Sequence, residues 1–103
     1  MPRRKGNYQR VEEEIRRIEE DIEFEYGKPF DELTYPEKKQ VILDHFFHGE
    51  PKYKASARDM LIGLEAYRET GESSIIVKHI TRRGKTYTVI VDAETHKFKA
   101  WVR

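Results

Sequence analysis

Cysteine is absent from the 103 residues. That excludes disulfide frameworks, thiolate nucleophiles and cysteine-ligated zinc fingers. No apolar run approaches the roughly 18 residues that span a bilayer, and no signal-peptide core follows the basic start. These absences lead to the expectation of an intracellular, cytoplasmic protein with no membrane partner. Also missing are a Gly-rich phosphate loop, a G-x-S-x-G elbow and an H-E-x-x-H pair, so no cofactor is expected. His45 and His48 stand at i, i+3, but Asp44 is the only adjacent carboxylate, so no metal is expected either. Asparagine occurs once, and glutamine and methionine twice each. With abundant Glu and Lys, this is the compositional trend of hyperthermophile proteins.

What is present in excess is charge, at 38% of residues against about 25% in an average domain. The net charge of +1 hides a strong segregation. Residues 1–10 carry Arg3, Arg4, Lys5 and Arg10 and no acid. Residues 11–33 sum to −7, residues 34–72 to −1, and residues 73–103 to +5. Such asymmetry speaks of partners rather than of fold.

Apolar residues are 37%, low but periodic, and the length suits one core. Residues 1–7 lack an apolar anchor and read as a flexible basic arm. A single α+β domain is expected over 8–103. Tyr8, Val11, Ile15, Ile18 and Ile22 form one helical stripe, so a first helix is predicted over 8–26, with Gly27 ending it. The heptad spacing leaves a homodimer through this helix open. Phe30 and Leu33 are expected to face inward from a short turn. Thr34 and Glu37 form a capping box with Pro36 in the first turn, opening a second helix over 35–48. Ser56 and Asp59 read as another cap, opening a third over 56–70 that Gly71 stops.

The period then changes from 3.6 to 2. Strands are predicted over 74–81, 86–92 and 97–103, with turns at residues 82–85 and 93–96. Three N-terminal helices packed on one face of a C-terminal three-stranded antiparallel meander is the expected fold.

Strict alternation along the last strand puts Phe98, Ala100 and Val102 on one side, and Lys97, Lys99, Trp101 and Arg103 on the other. In the middle strand Tyr87, Val89 and Val91 are the natural core side, leaving Thr86, Thr88 and Ile90 outside. The first strand is ambiguous. With Lys78 outward, the outer face gathers bases and a Trp, rimmed by Arg82, Arg83 and Lys85. Lys and Arg supply salt-dependent attraction to phosphate, and an exposed Trp offers a surface on which a base stacks. The bland alternative is a solvated edge, where lysines discourage strand pairing.

Residues 40–47, led by two lysines, read Gln40, Val41, Ile42, Leu43, Asp44, His45, Phe46, Phe47. The pattern resembles the peptide by which many replication and repair proteins dock on the sliding clamp. That peptide has a Gln, an aliphatic residue three positions on, and two aromatics at positions seven and eight. The resemblance implies a partner-binding role for Gln40, Leu43, Phe46 and Phe47. It covers eight residues, and a core-facing helix produces three of the four matches unaided.

A third reading is enzymatic. His79, His96, Arg83 and Lys85 are similar in type to the residues that small metal-independent ribonucleases, several bacterial toxins among them, place on an antiparallel sheet. A His would move the proton and a cation would stabilise developing phosphate charge. A helix-turn-helix is disfavoured, because its recognition helix would offer Arg58 against Asp59 and Glu65. The leading expectation is a small non-enzymatic nucleic-acid-binding or accessory protein. It would use Lys78, Arg82, Arg83, Lys85, Lys97, Lys99, Trp101 and Arg103 together with the arm at Arg3, Arg4 and Lys5. Docking through residues 40–47, inhibition of a partner protein, and a ribonuclease are the alternatives.

Overall fold

The structure, a computed structural model, describes residues 8–102. The arm at Arg3, Arg4 and Lys5, and Arg103, lie outside the described residues. The fold is α+β, with helices first and a three-stranded antiparallel sheet at the C-terminal end. The helices are α1 (Tyr8–Arg17), α2 (Glu19–Tyr26), α3 (Tyr35–Phe46) and α4 (Lys54–Thr70). The strands are β1 (Ile75–Arg82), β2 (Lys85–Asp92) and β3 (Phe98–Trp101), in the order β1-β2-β3. No described helix is long and apolar enough to cross a membrane. The chain divides into two compact units, one spanning 10–61 and the other joining the described residues of 1–9 to 62–103.

In the unit spanning 10–61, the stripe Val11, Ile15, Ile18 and Ile22 is buried, as periodicity predicts. The predicted single first helix is two helices that bend at Ile18, whose φ and ψ are −97° and 9°. A new helix start is favoured there because Glu19, Glu20 and Asp21 place carboxylates at the N–H end of α2. The Glu19 carboxylate also accepts the Phe30 N–H at 2.8 Å, tying α2 to the turn that follows. The apolar stripe is therefore spent within the chain.

Gly27 ends α2 with φ 77°, a left-handed value that costs glycine little. Phe30 and Leu33 are buried, Phe30 opening a 3₁₀ turn at Phe30–Glu32 and Leu33 capping it. The capping box opening α3 is complete. Thr34 N–H donates to Glu37 Oε1 at 2.8 Å, and Glu37 N–H donates to Thr34 Oγ1 at 3.4 Å. The Thr34 backbone N–H above all, with the Thr34 hydroxyl and the Lys28 ammonium, holds the Glu37 carboxyl below the usual range. The Ser56 cap is a correction. A 3₁₀ turn at Pro51–Tyr53 runs straight into α4, so the helix begins two residues earlier, at Lys54. Pro51 starts that turn with its φ already in the helical range, which makes a later cap unnecessary.

In the other unit, Tyr8 lies against Gly63 in α4, so closely that an added methyl there would sit inside the Tyr8 ring. A mid-helix glycine costs about 1 kcal/mol against alanine, and close aromatic packing is what offsets it here. Leu64, Ile75, Val89, Ile90, Val91 and Ala93 supply buried residues of this unit. Arg83 and Gly84 join β1 to β2 with φ values of 52° and 75°, the positive pair that a two-residue type I′ hairpin requires. The β2–β3 turn is built on Asp92. Its carboxylate accepts the Glu94 and Thr95 N–H groups at 2.8 and 2.9 Å, and these hold its pKa below the usual Asp value.

Candidate nucleic-acid interface

Residues directly opposite each other in an antiparallel sheet point to the same face. β1 and β2 pair along their whole length, from Ile75 opposite Asp92 to Arg82 opposite Lys85. β3 pairs with Val89, Ile90 and Val91, and the pairing is extended by the Val102 N–H to the Thr88 carbonyl at 3.0 Å and the Asp92 N–H to the Lys97 carbonyl at 2.9 Å. Beyond that level the sheet is a two-stranded ribbon ending at the Arg83-Gly84 turn.

The register sorts the side chains. Lys78 lies opposite Val89, and Val89 lies opposite Trp101, so these three form one row across the sheet. Ile80 pairs with Tyr87, and Arg82 with Lys85, on the same face. The register slips between Ile90, opposite Ala100, and Val91, opposite Phe98. Lys99 is therefore the extra residue of a β-bulge, and a bulge re-aims its neighbours. Trp101 joins the Phe98 face instead of the opposite one.

The result is an aromatic cluster. Trp101 is 64% exposed, Phe98 54% and Tyr87 42%. The Trp101 ring meets Phe98 at 5.2 Å and 60°, and Tyr87 at 6.1 Å and 68°. Edge-to-face packing of this kind fixes ring orientation before any ligand arrives. Three cations, Lys78, Arg82 and Lys85, share the face, and none is in an ion pair among the described residues. The face carries no acid; Asp92 points to the other side, with Ile75.

Several expected placements change. Alternation put Tyr87 and Phe98 on the side of Val89 and Val91, and the register keeps these four together; Trp101, expected on the other face, is the residue the bulge brings to them. Thr86 and Thr88, expected next to Trp101, point the other way. There Thr88 Oγ1 lies 3.0 Å from His79 Nδ1, and Thr86 Oγ1 lies 3.4 Å from Thr81 Oγ1. Lys99 is not a free cation of the face. Its ammonium hydrogen-bonds the Glu72 carboxylate, which raises its pKa above the usual Lys value. Lys97 is exposed at the entry to β3, and Arg83 is exposed at the hairpin turn. Sequence reasoning missed Tyr87 and Phe98 as site residues. Nothing local announces the bulge that brings Trp101 to their side.

The docking peptide fares differently. Residues 40–46 are helical, with Phe47 at the C-cap. Gln40 is exposed and donates to Asp44 Oδ1 at 2.8 Å. Leu43 is only 4% exposed, although it borders a cleft of about 240 Å³ with Pro36, Lys39 and Ala57. Phe46 and Phe47 are half-buried, and Phe47 stacks on Tyr53 at 5.4 Å. The four matching residues do not converge on one exposed surface.

The ribonuclease set is not brought together either. Arg83 and Lys85 lie at one end of β2 and His96 beyond the other, roughly 24 Å apart at strand rise. His79 points to the face opposite Lys85. No cluster of three or more potential metal ligands occurs among the described residues. Phe24 on α2 is also exposed, but it stands among Glu20, Asp21, Glu23 and Glu25, a setting that repels phosphate. No protein-family model, curated protein or solved structure matches this chain.

Proposed function

We propose that the chain is a small nucleic-acid-binding protein whose contact surface is the face bearing Lys78, Arg82, Lys85, Tyr87, Phe98 and Trp101. The observation that carries this reading is the shared row and face of Trp101 and Lys78, with neighbouring rings already oriented and unpaired cations beside them. Exposed aromatics without charge fit an apolar partner. Exposed cations without aromatics fit a solvated edge. The combination fits a polyanion with flat, stackable groups. Arg83 at the hairpin turn, Lys97, Arg103 and the basic residues Arg3, Arg4 and Lys5 enlarge the positive field around it.

The test is fluorescence anisotropy of labelled RNA and DNA against salt, for the parent chain and for Arg82→Ser/Lys85→Ser. Both positions are exposed strand ends, so the fold survives the change. Affinity is expected to fall steeply with salt. Removing two phosphate contacts is expected to flatten the log–log slope by about 1.4–1.8, since each contributes about 0.7 to 0.9. No salt-sensitive binding to any nucleic acid, or an unchanged slope in the variant, overturns the reading.

A further inference from the structure

We infer that the ligand of this face is an unpaired nucleic-acid strand rather than a duplex, an inference that rests on the proposed nucleic-acid-binding role. Trp101, Phe98 and Tyr87 expose much of their ring surface to water within one cluster. Stacking is the interaction that rewards such surface, and only a splayed base has a free face to give. In a duplex the base faces are buried in the helix, so a protein meets phosphates and base edges instead.

The layout of charge agrees. Lys78 sits in the row of Trp101, across Val89 and about 10 Å away at the spacing of strands. The Arg82–Lys85 pair lies four residues along β2 from that row, roughly 14 Å at strand rise. A strand whose bases stack at the aromatic end therefore carries its backbone past Lys78 and on toward the hairpin turn. The competing geometry puts the two-stranded ribbon into a major groove, which is wide enough for one. That mode uses Arg82, Arg83 and Lys85 at the tip and leaves the rings of Trp101 and Phe98 with nothing to stack on.

The experiment uses the full chain and follows Trp101, the only tryptophan. Oligo(dT) and oligo(rU) of about 12 nucleotides, within the site sizes such surfaces take, are compared with a duplex of the same length and with inorganic polyphosphate. Single strands are expected to bind tightest and to quench Trp101. Trp101→Ala is expected to weaken single-strand binding roughly 5- to 150-fold, and Trp101→Phe to restore most of it. Duplex and polyphosphate affinities should be unchanged by Trp101→Ala. The inference is overturned if the duplex binds as tightly as the single strands, or if Trp101→Ala weakens every polyanion alike. Failure of all nucleic acids to bind overturns instead the proposed function beneath it, so the two failures are told apart.

Discussion

Two stretches of this chain carry aromatic residues from which a partner can be argued, α3 with its C-cap and the β1–β3 face, and they dispose of them in opposite ways. In α3 the apolar residues are close-spaced on a helix that must also supply the core. Leu43 is consumed by that demand, and Phe47 is taken up by Tyr53. On the sheet, Val89 fills the covered position between Lys78 and Trp101 and is 1% exposed, so the rings beside it are left outward. A motif is readable by a partner only when its residues are surplus to the core. Helical spacing cannot show that surplus, because one stripe serves both purposes. A sheet row can, because the register says which side chains share a face.

The largest expected effect breaks or keeps this comparison directly. Leu43→Ala should destabilise the protein by about 2–5 kcal/mol in urea unfolding, as for other core deletions. Trp101→Ala should cost only about 1 kcal/mol, since a largely exposed ring loses little beyond its edge contacts with Phe98 and Tyr87. Comparable losses from the two would mean that Trp101 is structural after all. Phe47→Ala is expected to fall between them, at about 1–3 kcal/mol, from partial burial and the lost stack on Tyr53. A loss near zero would return residues 40–47 to contention as a docking segment.

Gly63→Ala sharpens the same lesson at a smaller scale. Helix propensity alone predicts about 1 kcal/mol of stabilisation. Displacing the Tyr8 ring should outweigh that and leave the variant about 1 kcal/mol less stable. In a Tyr8→Ala background the same substitution should become stabilising. Additive effects across that double-mutant cycle would mean that the two residues do not touch.

The smallest effect concerns the turn that positions β3. Asp92 has a depressed folded pKa, so its contribution to stability is complete above the ordinary Asp value and is lost as pH falls through the depressed one. Protection of the Glu94 and Thr95 amides, measured against their intrinsic exchange rates, should therefore fall on acidification. Asp92→Asn keeps a side-chain oxygen as acceptor without the titration, so exchange at those two amides should lose that component. Identical pH profiles in both proteins would remove Asp92 as the cause.

Much of the fold was legible in residues with a local mechanism. The Thr34–Glu37 box, the glycines at 27 and 84, and the change of period after Gly71 each act within a few positions. The start of α4 at Lys54 was harder, because Pro51 nucleates a 3₁₀ turn that Ser56 gives no hint of. The bend at Ile18 leaves the apolar stripe intact and so leaves no trace in the periodicity. For the candidate site, Lys78, Arg82, Lys85 and Trp101 were found from alternation and charge. That Trp101 joins Phe98 and Tyr87 was not legible, since one inserted residue at Lys99 inverts the parity of Trp101 relative to Phe98. The pairing of Lys99 with Glu72, 27 positions away, is likewise beyond any local signal.

The most direct test of the central claim is collisional quenching of Trp101 by iodide and by caesium, without and with oligo(dT). An open ring on the face of Lys78, Arg82 and Lys85 should emit like tryptophan in water. Local positive potential should make the anion the better quencher at low salt. Bound oligonucleotide should protect the ring from both ions. A blue-shifted emission indifferent to iodide, caesium and oligonucleotide would put Trp101 inside the protein and contradict the account.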